Sequence, residues 1–178
     1  MIKKMICLGV ILVMVILAFT ACNSKDNETY GKPLPFNVAY SGTMYPVTET
    51  YLKEKVDSLQ DLIYLSNEND YPFFNEIDEN YNSDLSQKVR EYDDSYFINK
   101  ALILVFFYET SQSPTKIDSV RIKDNSINVI IARPGEMYTA NDAETVYAFI
   151  IEVNKKDIES INEVDTKLIN KGKVKDFN

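Results

Sequence analysis

The chain has 178 residues, with 27 acidic against 19 basic side chains for a formal charge of −8, no histidine, no tryptophan and two cysteines. Its length suits one domain with a proper core, and its acidity opposes binding to nucleic acid or to anionic lipid headgroups. Without histidine there is no Ser-His-Asp triad, no His-ligated zinc and not the commonest general base.

The first 22 residues read as an address. Met1-Ile2-Lys3-Lys4 carries two positive charges and no negative one, and an apolar run follows from Met5 to Phe19. Charge followed by an apolar run is the order of a secretory signal. The run ends in Phe19-Thr20-Ala21-Cys22, which resembles the lipobox of bacterial lipoproteins, with Phe19 where leucine is usual. The resemblance implies cleavage of residues 1–21, lipid attachment at Cys22, and a protein anchored to the cell membrane facing outside the cytoplasm. A membrane span needs about 20 apolar residues, so this run is slightly short; an uncleaved anchor is the alternative, with the same sidedness. Cys7 would leave with the signal and Cys22 would be acylated, so no disulfide, redox pair or thiolate metal site is expected. Neither a cofactor nor a metal is called for.

Residues 22–35 are polar and contain Gly31, Pro33 and Pro35, a composition that predicts a flexible tether. Phe36, Val38 and Tyr40 then alternate with smaller or polar residues up to Tyr45, predicting a first strand with a bulge at Gly42. A short strand is expected from Thr50 to Val56. Asp57-Ser58 before Leu59, Leu62, Ile63 and Leu65 predicts a capped helix, the Ser58 hydroxyl accepting from the Asp61 N–H. Ser66 to Ser83 is rich in Asn, Asp and Glu and reads as a long loop. Leu85, Val89 and Tyr92 fall at helical spacing, and Asp93-Asp94-Ser95 ends that helix. Ala101 to Tyr108 is eight apolar residues without a charge, which predicts a strand buried on both faces and central in its sheet. Ile117, Val120 and Ile122, a turn at Asp124-Asn125-Ser126, and Ile127 to Ile131 form a hairpin. A long strand from Thr145 to Val153, a helical turn at Lys155 to Ile161 and a short strand from Val164 to Ile169 continue what reads as a β meander. The lysine-rich tail, 171–178, is expected to fray. The whole predicts a single α+β domain over 36–170, a mainly antiparallel β-sheet of about five to seven strands with two or three short helices packed on one face.

Two chemistries find no specific residue pattern in the acidic stretches. Asp78 to Asp84 places oxygen ligands at alternate positions, as a calcium loop begins, but Ser83 and Val89 stand where glycine and a bidentate acid are required. Glycoside hydrolysis needs two carboxylates at a fixed separation, and the adjacent pair Asp93 and Asp94 is explained by capping. The better candidates are two polar loops, Glu109 to Thr115 and Pro134 to Asp142, with Ser111, Gln112, Ser113, Arg133, Met137, Tyr138 and Asn141 as partner-binding residues.

The order Tyr92-Asp93-Asp94-Ser95-Tyr96-Phe97, an apolar strand, Glu109-Thr110-Ser111-Gln112-Ser113, a hairpin, Pro134, Thr139 and a closing strand ending Ile151-Glu152-Val153 resembles a family of uncharacterised clostridial proteins. Those carry a YD-x-x-[FY]F segment and an SGS-type loop, where this chain has Gln112 in place of the glycine. It is also loosely similar to the C-terminal domain of PrcB, a protease-complex subunit. The resemblance implies a fold and an extracytoplasmic setting and supplies no catalytic residues. The expected function is a lipid-anchored module that binds a protein or peptide, with a carboxylate-dependent hydrolase of envelope glycan as the alternative. Expected partners are the membrane, through Cys22, and a protein or peptide, with no nucleic acid.

Overall fold

The computed structural model describes residues 31–44, 52–67, 83–109, 113–135, 145–173 and 176–177. Within them the chain runs β1 (Lys32–Pro33), β2 (Phe36–Met44), β3 (Leu52–Val56), α1 (Leu59–Asn67), α2 (Ser83–Val89), β4 (Lys100–Glu109), β5 (Lys116–Lys123), β6 (Ser126–Arg133), β7 (Thr145–Asn154) and β8 (Glu163–Asn170). Short 3-10 turns at Tyr96–Ile98 and Lys155–Asp157 precede β4 and follow β7. The expected α+β class, mainly antiparallel, is what forms, and its strands divide between two four-stranded sheets, β1-β5-β6-β8 and β2-β7-β4-β3.

Burial on both faces of β4 and β7 explains the layering. Ala101, Ile103, Val105 and Phe107 of β4 and Tyr147, Phe149, Ile151 and Val153 of β7 face the first sheet, where Val120, Ile127, Val129, Ile131 and Val164 meet them. The alternate residues Leu102, Leu104, Phe106, Val146, Ala148 and Ile150 face the helical layer, meeting Leu62 of α1, Leu85 of α2, Tyr92 and Phe97. A strand apolar at every position can satisfy both sides only between two layers. Accordingly β4 and β7 are the two inner strands of their sheet.

Local chemistry sets the element ends. The Asp61 N–H donates to Ser58 Oγ at 3.0 Å, as expected, and the Ser58 hydroxyl donates to Asp61 Oδ2 at 2.6 Å. The β5–β6 connection turns on Asp124 and Asn125, with φ of 51° and 63°. Positive φ at both central residues is the type I′ geometry that matches strand twist, and Asp and Asn tolerate it. Asp93, read as a helix terminator, accepts from the Ser95 hydroxyl at 2.6 Å and the Tyr96 N–H at 3.0 Å. These bonds hold its carboxyl below the usual carboxylate range.

Four expectations need correction. The bulge in β2 lies between Val38 and Tyr40, not at Gly42; Gly42 instead makes room for the Tyr40 ring, whose hydroxyl would lie 2.5 Å from a Cβ there. The meander is broken twice, because β7 crosses to the second sheet and β8 returns to pair parallel with β6. The final part of the tether belongs to the domain: β1 pairs with β5 and Leu34 is buried in the core. Gly31 permits that pairing, with φ of +85° and the β5 backbone where a side chain would stand. The described residues of the tail, 171–173 and 176–177, are docked rather than frayed. Lys171 N–H donates to Arg133 O, Gly135 N–H to Gly172 O, and Lys116 Nζ to Asp176 O at 2.8 Å, 4.4 Å from the centre of the Phe177 ring.

Candidate functional site

The strand registers bring the two candidate loops to one end of the molecule. Glu109, where β4 ends, stands opposite Thr145, where β7 begins, and Lys116, where β5 begins, stands opposite Ala132 near the end of β6. β2 ends opposite Val146 at that same end. Connections 45–51, 110–115 and 134–144 therefore all start and finish there.

Side chains tie the roots of these connections across the two sheets. Arg133 donates from Nη1 to Glu109 Oε2 at 2.8 Å and from Nε to Asn170 Oδ1 at 2.9 Å. The ion pair is largely sheltered, its side chains 22% and 17% exposed, so screening by water is weaker than for a surface pair. Beside it, the Tyr147 hydroxyl donates to the Ser113 carbonyl at 2.7 Å. Burial first, and the Glu109 charge second, push the Tyr147 phenol above its ordinary value, so it remains a neutral donor. The Tyr147 ring stacks on Phe107 at 5.4 Å, which holds it against β4. The Thr115 hydroxyl is buried without a hydrogen-bonding partner among the described residues.

Of the residues singled out from sequence, Ser113 and Arg133 thus meet at one platform, Ser113 buried and Arg133 engaged at the root of its loop. Ser111, Gln112, Met137, Tyr138, Asn141 and Cys22 lie outside the described residues. Glu109, Tyr147 and Asn170 complete the platform. Glu109 closes an otherwise apolar run, and that position was the available signal; nothing local in the sequence points to Asn170.

A second polar cluster sits at the opposite end. Glu152, facing the helical layer from β7, accepts from the Tyr92 hydroxyl at 3.3 Å and from Asn37 Nδ2 at 3.1 Å. Tyr96 packs edge-on against Tyr92 with centroids 4.7 Å apart, and its hydroxyl is buried with no partner among the described residues. Burial, then the Glu152 charge, raises both phenols well above their ordinary value. Both phenols are therefore neutral, and that of Tyr92 is engaged, which suits packing rather than proton transfer. A signal existed here too: Glu152 is the one charged residue in the strand Thr145–Asn154.

A hollow of about 240 Å³ near this end is lined by Ile98, Asn99, Asn154, Lys155 and Lys156. It falls below the roughly 300–1,000 Å³ of small-molecule sites. Lys155 Nζ already donates to the carbonyls of Asp57 at 2.7 Å and Phe97 at 3.3 Å. The half-buried carboxylates Glu109 and Glu152 cannot act as a hydrolytic pair. They stand at opposite ends of β4 and β7 and on opposite faces of the sheet, separated by roughly 23 Å of strand rise, whereas glycosidases need about 5–9.5 Å. Among the described residues no group of three or more acidic, histidine or cysteine side chains could hold a metal. No family model, curated protein or solved structure matches this chain.

Proposed function

We propose that this protein is an interaction module, anchored through lipidated Cys22 outside the cytoplasm, that binds a protein or peptide with the loops 110–115 and 134–144. Membership of the family that the Tyr92–Val153 order resembles is part of the same proposal. One observation carries it: the roots of both loops are fixed side by side by Arg133–Glu109 and Tyr147–Ser113. Loops displayed together on a rigid scaffold are the usual carriers of recognition, and no comparable arrangement for catalysis exists among the described residues.

A photo-crosslinking amino acid placed in turn at Gln112 and Tyr138, in the full chain in its membrane, tests this. Both positions are expected to label one and the same partner, and a probe at Asp124, in the β5–β6 turn, is expected not to. Labelling at none of the loop positions, or equally at Asp124, would remove the loops from consideration. Cys22→Ala is expected to abolish palmitate incorporation; persistent labelling would end the lipoprotein reading independently of the loops.

A further inference from the structure

Where β4 begins and β7 ends, Lys100 stands opposite Asn154 in the strand register. The short turns beside those strand ends, Tyr96–Ile98 and Lys155–Asp157, border the hollow lined by Ile98, Asn99, Asn154, Lys155 and Lys156. Its walls are tied together. The Lys155 N–H donates to Asn99 O at 3.0 Å, and Lys155 Nζ bridges the carbonyls of Asp57 and Phe97.

This hollow gathers positive charge that no carboxylate answers. Lys155 spends two of its three ammonium N–H groups on neutral carbonyls, which leaves one uncommitted. Lys100 Nζ donates to Asn154 Oδ1 at 3.0 Å, again a neutral acceptor. The side chains of Asn99 and Lys156, both exposed, make no hydrogen bond among the described residues. Neighbouring carboxylates are already engaged: Asp57 pairs with Lys55 at 3.0 Å, and Asp157 accepts from Asn154 Nδ2 at 3.3 Å. None of Lys100, Lys155 and Lys156 forms an ion pair among the described residues. In a chain of formal charge −8, three such ammonium groups at one hollow are complementary to an anion brought from elsewhere.

We propose that this hollow receives the carboxylate of an acidic residue in a protein partner, with an apolar neighbour of that residue packing on Ile98. Size argues for a single side chain: about 240 Å³ is the share of roughly eight waters at about 30 Å³ each. Ile98 argues for a chain over a free anion. It is 71% exposed, the highest value among the exposed large apolar side chains described, and a small ion seated in the hollow would leave it bare. A lone exposed isoleucine is ordinary. One that borders a cluster of unpaired cations offers an acidic segment both a charge and an apolar contact. The site lies at the end of β4 and β7 opposite Glu109 and Thr145, so this proposal and that of the loops can fail separately.

The probe is the peptide acetyl-Leu-Glu-Leu-amide, titrated to millimolar concentration into the full chain in detergent micelles and followed by backbone amide NMR shifts. Shifts are expected at Ile98 to Lys100 and at Asn154 to Lys156, and the same peptide with glutamine at its centre should bind several-fold more weakly. Asn99→Asp and Lys156→Glu, both at exposed positions, should each weaken the glutamate peptide several-fold, while Lys167→Gln on β8 should leave it unchanged. Ile98→Ser should weaken the peptide without altering any response to free glutarate. The proposal is overturned by an absence of shifts at this end, by equal binding of the glutamine peptide, by indifference to Asn99→Asp and Lys156→Glu, or by an equal loss with Lys167→Gln. Glutarate or inorganic phosphate moving the same amides as strongly as the peptide would make this a site for a free anion, and would overturn the protein partner as its occupant.

Discussion

Tyr92 and Tyr96 touch each other and differ in one atom's fortune: the Tyr92 hydroxyl reaches Glu152, and the Tyr96 hydroxyl reaches nothing among the described residues. A buried hydroxyl without a partner costs about 1–3 kcal/mol, and a made hydrogen bond contributes about 1 kcal/mol. Tyr96→Phe should therefore leave stability unchanged or raise it by up to about 1 kcal/mol, while Tyr92→Phe should lower it by about 1 kcal/mol. Urea unfolding midpoints measure both, and a greater loss for Tyr96→Phe would show that its hydroxyl is engaged after all. Neither fate was legible in the sequence, where the two tyrosines stand in one short motif. What separates them is Glu152, 60 residues further along than Tyr92. Asp93 was legible, because its partners Ser95 and Tyr96 are its neighbours in the chain.

Elements were legible where their cause is local. The Ser58 cap needs only the three residues that follow it, and Ser58→Ala should cost about 1 kcal/mol of stability, read as a lowered thermal midpoint. No change would mean that the reciprocal Ser58–Asp61 bonds at 2.6 and 3.0 Å add nothing to the exchange with water. β4 was legible for a related reason, since an unbroken apolar run has no face to offer solvent. The β2 bulge was not, because a glycine in a strand marks either a kink or a close approach. Here the Tyr40 ring uses the space at Gly42 and the irregularity falls two to three residues earlier. The platform beneath the loops was half legible: polar turn residues located the loops, while the pairing of Arg133 with Glu109 depends on two strands of different sheets meeting at their ends.

At the scale of the molecule, periodicity reveals which sides of a strand are buried but not which sheet it joins, so β7 read as the next strand of a meander. The same blindness placed residues 31–35 in a tether, although Leu34 is only 4% exposed and lies among the residues between the sheets. Leu34→Ala should cost about 2–5 kcal/mol, measurable as a large fall in the denaturation midpoint, whereas a tether residue would leave it unmoved. The pairing of β2 with β7 has a further consequence, in time. Asn37 and Glu152, which bond across that pair, are separated by 115 residues, and β6 is completed only by β8 at Glu163–Asn170. A chain emerging N-terminus first can thus close neither sheet until nearly all of it has been delivered. Throughout synthesis its uncharged first long strand waits with both edges bare, the stage at which a holding chaperone has most to shield.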